Sequence, residues 1–439
     1  MLPGRFNRLS HHVYKEHAVE LLKLNVMYGA NGAGKSNLIR SLNILKIFLT
    51  TGEMPVELIT ETFKFDKESS AKDIYLGIEF TKEKLAYYYG LTINRGIVVE
   101  EELHLSGLGK TEDIILFRRT DKITHTYIAA EKSMELVFSE EVMKDKEASI
   151  FPSFLKNEML ERNKPVLFYM KNRQNDVFEP FKKALEWFEK DLEVVLPQSR
   201  AQSLVLHLEG DTSFREFATN TIQSFDTGIS NIYIETTSLE DSFTENDKEA
   251  IESIGAQLRV NPEKMHMLNN SSNYTAVVLE GNKPVIKKVF YSHGKNDNEI
   301  KFQSSELSDG TRRLLDYLPT LFAVINTSKT YLIDEIERSI HPLLIKELIK
   351  KFSHDPATKG QLIFSTHESN LLDQDIFRPD EIWFAEKNKQ GATELYALSE
   401  FKEHHTIDIR KGYLNGRYGG IPFLGNLRDL NWEEYAQAK

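Results

Sequence analysis

Gly29-Ala30-Asn31-Gly32-Ala33-Gly34-Lys35-Ser36 fits the phosphate-binding pattern G-x-x-x-x-G-K-[ST] at every position. Val26-Met27-Tyr28 before it reads as a short strand that runs straight into the loop. Beyond Ser36 the apolar period changes, because Leu38, Ile39, Leu42, Leu45, Phe48 and Leu49 recur at helical spacing. Strand, glycine loop and helix in that order let the backbone approach phosphate oxygens while the helix N-terminus adds favourable partial charge. Asn31, Gly32, Ala33, Gly34, Lys35, Ser36 and Asn37 are therefore the candidate nucleotide-binding residues, with Lys35 as the cation on the β- and γ-phosphates and Ser36 as a Mg²⁺ ligand.

A second magnesium ligand has to come from a strand end, and Tyr331-Leu332-Ile333-Asp334-Glu335 supplies one in Asp334. Glu335, one residue on, is placed to orient or deprotonate an attacking water. Ser365-Thr366-His367 closes the next strand-like run, and His367 is a candidate donor to the γ-phosphate. Leu307-Ser308-Asp309-Gly310 opens a further helix, whose N-terminus is a ready anion site. Lys35 already holds the phosphate of its own chain. Ser308 and Gly310 are accordingly expected to touch a nucleotide held by a second copy, in a head-to-tail dimer.

Blander readings account for the other polar clusters. His11, His12, His404 and His405 read as surface or structural, and Asp373-Gln374-Asp375 as a helix-terminal turn. The 439-residue chain is 40% hydrophobic and 28% charged, ordinary for a globular protein of two or three domains. With no cysteine it has neither a disulfide framework nor a zinc–thiolate site, and no apolar run reaches the length of a signal peptide or membrane span. A cytoplasmic location without membrane association is expected. A formal net charge of −11 argues against a surface that coats nucleic acid, and Arg118-Arg119, Lys171-Asn172-Arg173 and Arg410-Lys411 read as solvated turns.

Residues 63–103 alternate in strand fashion, as in Ile74 to Phe80 and Tyr87 to Ile93. From about 125 to 270 the chain reads as mostly helical, most clearly over Phe181 to Leu196 with Pro197 as a stop, and no heptad pattern supports a long coiled coil. Tyr274 to Leu279 and Pro284 to Phe290 resemble a hairpin. A helix stripe from Leu314 to Ile325, with a bend at Pro319, precedes three strands at Thr330–Ile333, Gln361–Ser365 and Glu381–Ala385 and the helix Pro342–Phe352. The spacing is that of an α/β fold with a parallel sheet. The expected division is 1–124, 125–270 and 271–439.

Together these motifs resemble the ABC-type ATPase heads of the SMC, RecF and overcoming-lysogenization-defect groups: a phosphate loop at 29–36, a signature at 307–311, an acidic strand end at 331–335 and a switch histidine at 367. The long gap between loop and acidic strand is unlike a short AAA+ ring module. More narrowly, Tyr28 to Leu38, Asp334-Glu335-Ile336-Glu337-Arg338-Ser339-Ile340-His341-Pro342 and Tyr413 to Pro422 look like the bacterial RloA/abortive-infection ATPases. The resemblance implies a mixed and parallel sheet flanked by helices with a mainly helical insertion, ATP and Mg²⁺ as ligands, and ATP-driven dimerisation. It further implies a separately encoded effector, a nuclease or toxin, in an antiphage or restriction-linked system. DNA binding in repair, as in the RecF kind, is the competing implication. Two departures stand out. The first glutamine is Gln174, so the glutamine expected soon after the first helix is missing. Only Met1 to Asn25 precede the phosphate-loop strand, less than the usual opening hairpin needs, and the residues after Ala385 are too few for a fused TOPRIM nuclease.

Overall fold

The computed structural model describes residues 1–15, 18–65, 68–69, 72–121, 134–201, 204–238, 248–260, 266–267, 273–281, 283–294, 299–401, 403–404 and 407–421. The chain divides into two compact units, Met1–Val195 with Lys329–Glu335 and Gln361–Lys439, and Leu196–Ser328 with Ile336–Gly360.

The first unit is built on a six-stranded sheet in the order Thr393–Ala397, Ile382–Lys387, Leu24–Gly29, Gln361–Ser365, Thr330–Ile333, Leu192–Val195. All neighbours run parallel except the terminal Thr393–Ala397 strand. Every residue of the Leu24–Gly29 strand is buried, as a central parallel strand covered on both faces requires. The helix Lys35–Thr51 follows it, with Ile39, Leu45, Phe48 and Leu49 turned inward, and ends at Gly52 with φ 71°. That left-handed conformation favours glycine.

A second sheet in this unit is an antiparallel meander, Ile74–Lys82, Leu85–Asn94, Ile97–Leu105, Ile114–Asp121 and Met134–Phe138 in sequential order. Its inner face meets aromatic rings from the 151–188 stretch: Phe80 stacks on Trp187 at 4.3 Å, and Phe138 on Phe181 at 5.8 Å. Arg119, expected in a solvated turn, is instead fully buried in the fourth of these strands. Its guanidinium donates to the carbonyls of Lys164 (2.8 Å) and Arg162 (3.1 Å). Glu101 beside it accepts from Val166 N–H (2.7 Å), Leu167 N–H (3.1 Å) and the Tyr89 hydroxyl (3.1 Å). Burial raises the Glu101 pKa and lowers that of Arg119, while each charge opposes the other's shift. The pair fastens the 161–167 segment to the meander.

The stretch read as one helix from Phe181 to Leu196 changes character midway. The helix Glu179–Glu186 passes through a π-turn at Trp187–Asp191, and Leu192–Val195 is a strand paired in register with Thr330–Ile333. Two adjacent valines prefer the pleated, half-buried edge to a further helical turn. The 134–260 region thus supplies strands as well as helices.

The second unit carries a sheet in the order Ile229–Ser238, Lys283–His293, Thr275–Glu280, His266–Met267, with Ile300–Gln303 also pairing with Lys283–His293. Helices Leu204–Gly210, Thr212–Ser224, Lys248–Val260, Asp309–Asn326 and Pro342–His354 accompany it. The helix Asp309–Asn326 runs unbroken through Pro319. Among the described residues no helix is long and apolar enough to cross a membrane.

Candidate nucleotide site

The strands Leu24–Gly29, Gln361–Ser365 and Thr330–Ile333 are parallel neighbours, with Met27 opposite Ser365 and Phe364 opposite Ile333. Their C-terminal ends therefore open on one edge of the sheet, where ligands of open α/β folds bind. The phosphate loop, Asp334-Glu335 and Thr366-His367 all leave from that edge.

Glycines in the loop are dictated by what surrounds them. A Cβ on Gly29 would lie 2.5 Å from the Ala385 carbonyl of the adjoining strand, and one on Gly34 (φ 105°) 2.0 Å from Thr393 Oγ1. Thr393 Oγ1 in turn donates to Ala33 O at 2.8 Å and accepts from Lys387 at 3.0 Å, pinning the loop to the edge hairpin. The helix that follows has no side-chain cap at its N-terminus, so its first N–H groups are left for another acceptor. Lys35 is buried, and its Nζ bends back to Gly29 O (2.7 Å) and Ala30 O (3.2 Å). Asn31, Gly32, Ser36 and Asn37 are exposed around it, and Ala33 is buried.

Asp334 is 3% exposed and its N–H donates to Val195 O at 2.9 Å. Ser365, fully buried at the end of the middle strand, donates its hydroxyl to Asp334 Oδ1 and accepts from the Glu335 N–H at 2.9 Å. Glu335 itself adopts φ 51°, uncommon for a residue with a Cβ, and Ser365 is one of the contacts that fix it there. Thr366 N–H donates to Met27 O at 3.0 Å, and His367 follows, exposed. Sequence reasoning named Asp334, Glu335 and His367 but passed over Ser365. The available signal was a hydroxyl at the last strand position before Thr366-His367.

The Ser36 hydroxyl and the Asp334 carboxylate form a hard, all-oxygen donor pair of the kind Mg²⁺ takes when phosphate and water complete its shell. The uncapped helix end and Lys35 match phosphate oxygens in the same way. The residues present thus fit both groups.

Ser308 and Gly310 belong to the second unit. Ser308 caps Asp309–Asn326, accepting from Thr311 N–H at 3.2 Å, and stays exposed. A Cβ on Gly310 would sit 2.6 Å from Ser339 O, so only glycine lets the 336–341 loop pass so close. The strand beside Thr330–Ile333 is reached only at Leu192–Val195, after the meander, and the first glutamine beyond it is Gln198.

Residues 24–373 match the AAA_21 family, described as "AAA domain, putative AbiEii toxin, Type IV TA system". The chain belongs to this family. Its fold is accordingly that of a P-loop ATPase, with mixed parallel and antiparallel sheets flanked by helices. No curated protein matches the chain. Among solved structures it is similar to an Smc head bound to the C-terminal winged-helix domain of ScpA, at 11% identity over 88% of this chain and 93% of that one, with a TM-score of 0.37. Also similar are the Smc head domain bound to the C-terminal domain of ScpA from Pyrococcus furiosus (13% identity, 88% and 95% covered, TM-score 0.30) and the SMC head domain from Thermotoga maritima (12%, 88% and 95%, 0.29).

Proposed function

We propose that this chain is a magnesium-dependent ATP hydrolase whose ATP-driven dimerisation regulates a separately encoded effector, a nuclease or toxin, in a cytoplasmic antiphage, abortive-infection or restriction-linked system. The observation that carries the reading is the common sheet edge on which the Lys35 loop, Asp334, Glu335 and His367 open. Lys35 exchanges the carbonyls of Gly29 and Ala30 for phosphate oxygens, and the uncapped helix end receives the same anion. Ser36 and Asp334 are the residues that would hold Mg²⁺, which would supply neutralisation of phosphate charge. Ser365 fixes the Glu335 backbone, and Glu335 takes the proton of the attacking water while His367 donates a hydrogen bond to the γ-phosphate.

Ser308 and Gly310 of a second copy complete the pocket, so turnover depends on head-to-tail association. The family description, which names a toxin–antitoxin system, supports a defence setting. The division 1–124, 125–270, 271–439 goes with the proposal, the middle part or the tail from Gly412 being the surface offered to the effector.

Phosphate-release and nucleotide-binding assays test the site directly. Lys35→Ala should lose ATP binding, whereas Glu335→Gln should bind ATP and fail to turn it over. Equal loss of binding in both variants contradicts the assigned roles. Co-purification with a neighbouring gene product supports effector regulation; salt-dependent binding of DNA duplex by the isolated chain would favour a repair role instead.

A further inference from the structure

The phosphate loop rests at two points on the antiparallel hairpin that edges the six-stranded sheet. Gly29, the first residue of the loop, pairs in register with Ala385 of the strand Ile382–Lys387. Gly34, near its end, abuts Thr393, which opens the strand Thr393–Ala397 and pairs with Lys387 where the first strand closes. One hairpin thus supports both ends of the loop.

The bonds at Thr393 have a fixed direction. A threonine hydroxyl carries one proton and accepts through its lone pairs, whereas an ammonium only donates. Lys387 Nζ donates to Thr393 Oγ1 at 3.0 Å, so the hydroxyl proton goes to the Ala33 carbonyl 2.8 Å away. In a planar trans peptide the C=O and N–H point to opposite sides. Drawing Ala33 O towards the hairpin therefore turns the Gly34 N–H away from it, into the turn that leads to the uncapped end of the helix Lys35–Thr51. Backbone N–H groups gathered in such a turn make an anion-binding hollow. Thr393 is itself exposed, so little of the stability of the fold depends on its hydroxyl.

We propose that Thr393 is a positioning residue for nucleotide binding: through Ala33 it aims the Gly34 N–H at the phosphate, and Lys387 acts through Thr393. The inference rests on the ATP reading of the loop and adds to it a residue 360 positions further along the chain. Asp334, Glu335 and Ser365 belong to other strand ends, so ATP that does bind should be hydrolysed at the usual rate.

The test compares the full chain with Thr393→Val, Thr393→Ser and Lys387→Met, measuring the dissociation constant of a fluorescent ATP analogue, kcat and KM for phosphate release, and the melting temperature. Valine keeps the shape and the strand preference of threonine and removes only the hydroxyl. Thr393→Val should raise the dissociation constant and KM about 3- to 10-fold, the effect of one hydrogen bond, with kcat changed less than about twofold. Its melting temperature should stay within about 2 °C of the unmodified chain. Thr393→Ser should bind as the unmodified chain does, and Lys387→Met should weaken binding by less than Thr393→Val. Unchanged affinity in Thr393→Val overturns the proposal, as does a loss in kcat without one in KM, or a serine variant as weak as the valine one. A larger loss in Lys387→Met than in Thr393→Val also overturns it, because Lys387 would then act on the nucleotide directly. An unmodified chain that binds no ATP refutes the nucleotide reading as well, whereas the other failures leave that reading standing.

Discussion

Ser365→Ala isolates the least conspicuous part of the nucleotide site. One buried hydroxyl serves two neighbours, donating to the Asp334 carboxylate and accepting from the Glu335 N–H at 2.9 Å. Removing it takes away a hydrogen bond to a charged group, about 1.5–3 kcal/mol, and strands a backbone donor, about 1–3 kcal/mol. The two losses share one atom and do not simply add, so about 3 kcal/mol in total is expected. For a unit of this size that lowers the melting temperature by roughly 6–12 °C. The chemical consequence is separable from the structural one. Glu335 keeps its φ of 51° through a restricted set of contacts, and losing one lets the carboxylate wander. If about 1.4–2.8 kcal/mol of the loss falls on the transition state, kcat drops roughly 10- to 100-fold. Lys35 and the loop glycines are untouched, so the dissociation constant for a fluorescent ATP analogue should shift less than about threefold. Phosphate release, analogue titration and a thermal melt on one preparation give all three numbers. A melting shift below about 2 °C, or binding lost in parallel with turnover, would refute the relay through Ser365.

Other perturbations address other parts of the molecule. Mixing Lys35→Ala with Ser308→Arg chains creates heterodimers with one intact composite site, so ATPase activity should return in part although each variant alone is inactive; no recovery with heterodimers demonstrated rules out the sandwich. Arg119→Met leaves Glu101 buried without its opposing charge and should destabilise the first unit by about 3–5 kcal/mol, read by denaturant titration; a cost under about 1 kcal/mol would show the pair to be dispensable. Arg417, 56% exposed and 2.8 Å from Glu403, should tolerate alanine with little change in melting or ATP binding while defence activity in a phage challenge is lost; wild-type protection removes the tail from the effector mechanism.

Residues 412–424 also show how composition underdetermines role. Glycines together with Tyr413, Tyr418 and Phe423 are the composition of a tight, shaped turn; within the described residues Tyr413 and Tyr418 stack on Phe384 at 5.6 Å each, while Phe423 lies outside them, as does His405. Gly420 comes within 3.6 Å of the Gly29 Cα where a Cβ would be, so this part of the tail packs against the start of the phosphate loop. His12, read as surface or structural, proves fully buried against Glu381 at 2.9 Å, and burial raises the Glu381 pKa well above its usual value. Neither contact could be read locally, since each joins residues hundreds of positions apart.

By itself the sequence determined the phosphate loop and its helix, the acidic strand end and the strands Thr330–Ile333 and Gln361–Ser365, because each is a short-range pattern: glycines where the backbone must turn, an apolar run where a strand is buried on both faces. Tertiary structure alone decided that Leu192–Val195 is a strand rather than the end of a helix, since only pairing with Thr330–Ile333 distinguishes the two for so short an apolar run. It also decided that Ser365 links Asp334 to Glu335, that Arg119 is buried on Glu101, and that Gly77 faces Gly90 across a register fixed by the hairpin between them. These depend on which strand lies beside which, and adjacency in a sheet is settled by long-range packing that local propensity does not encode.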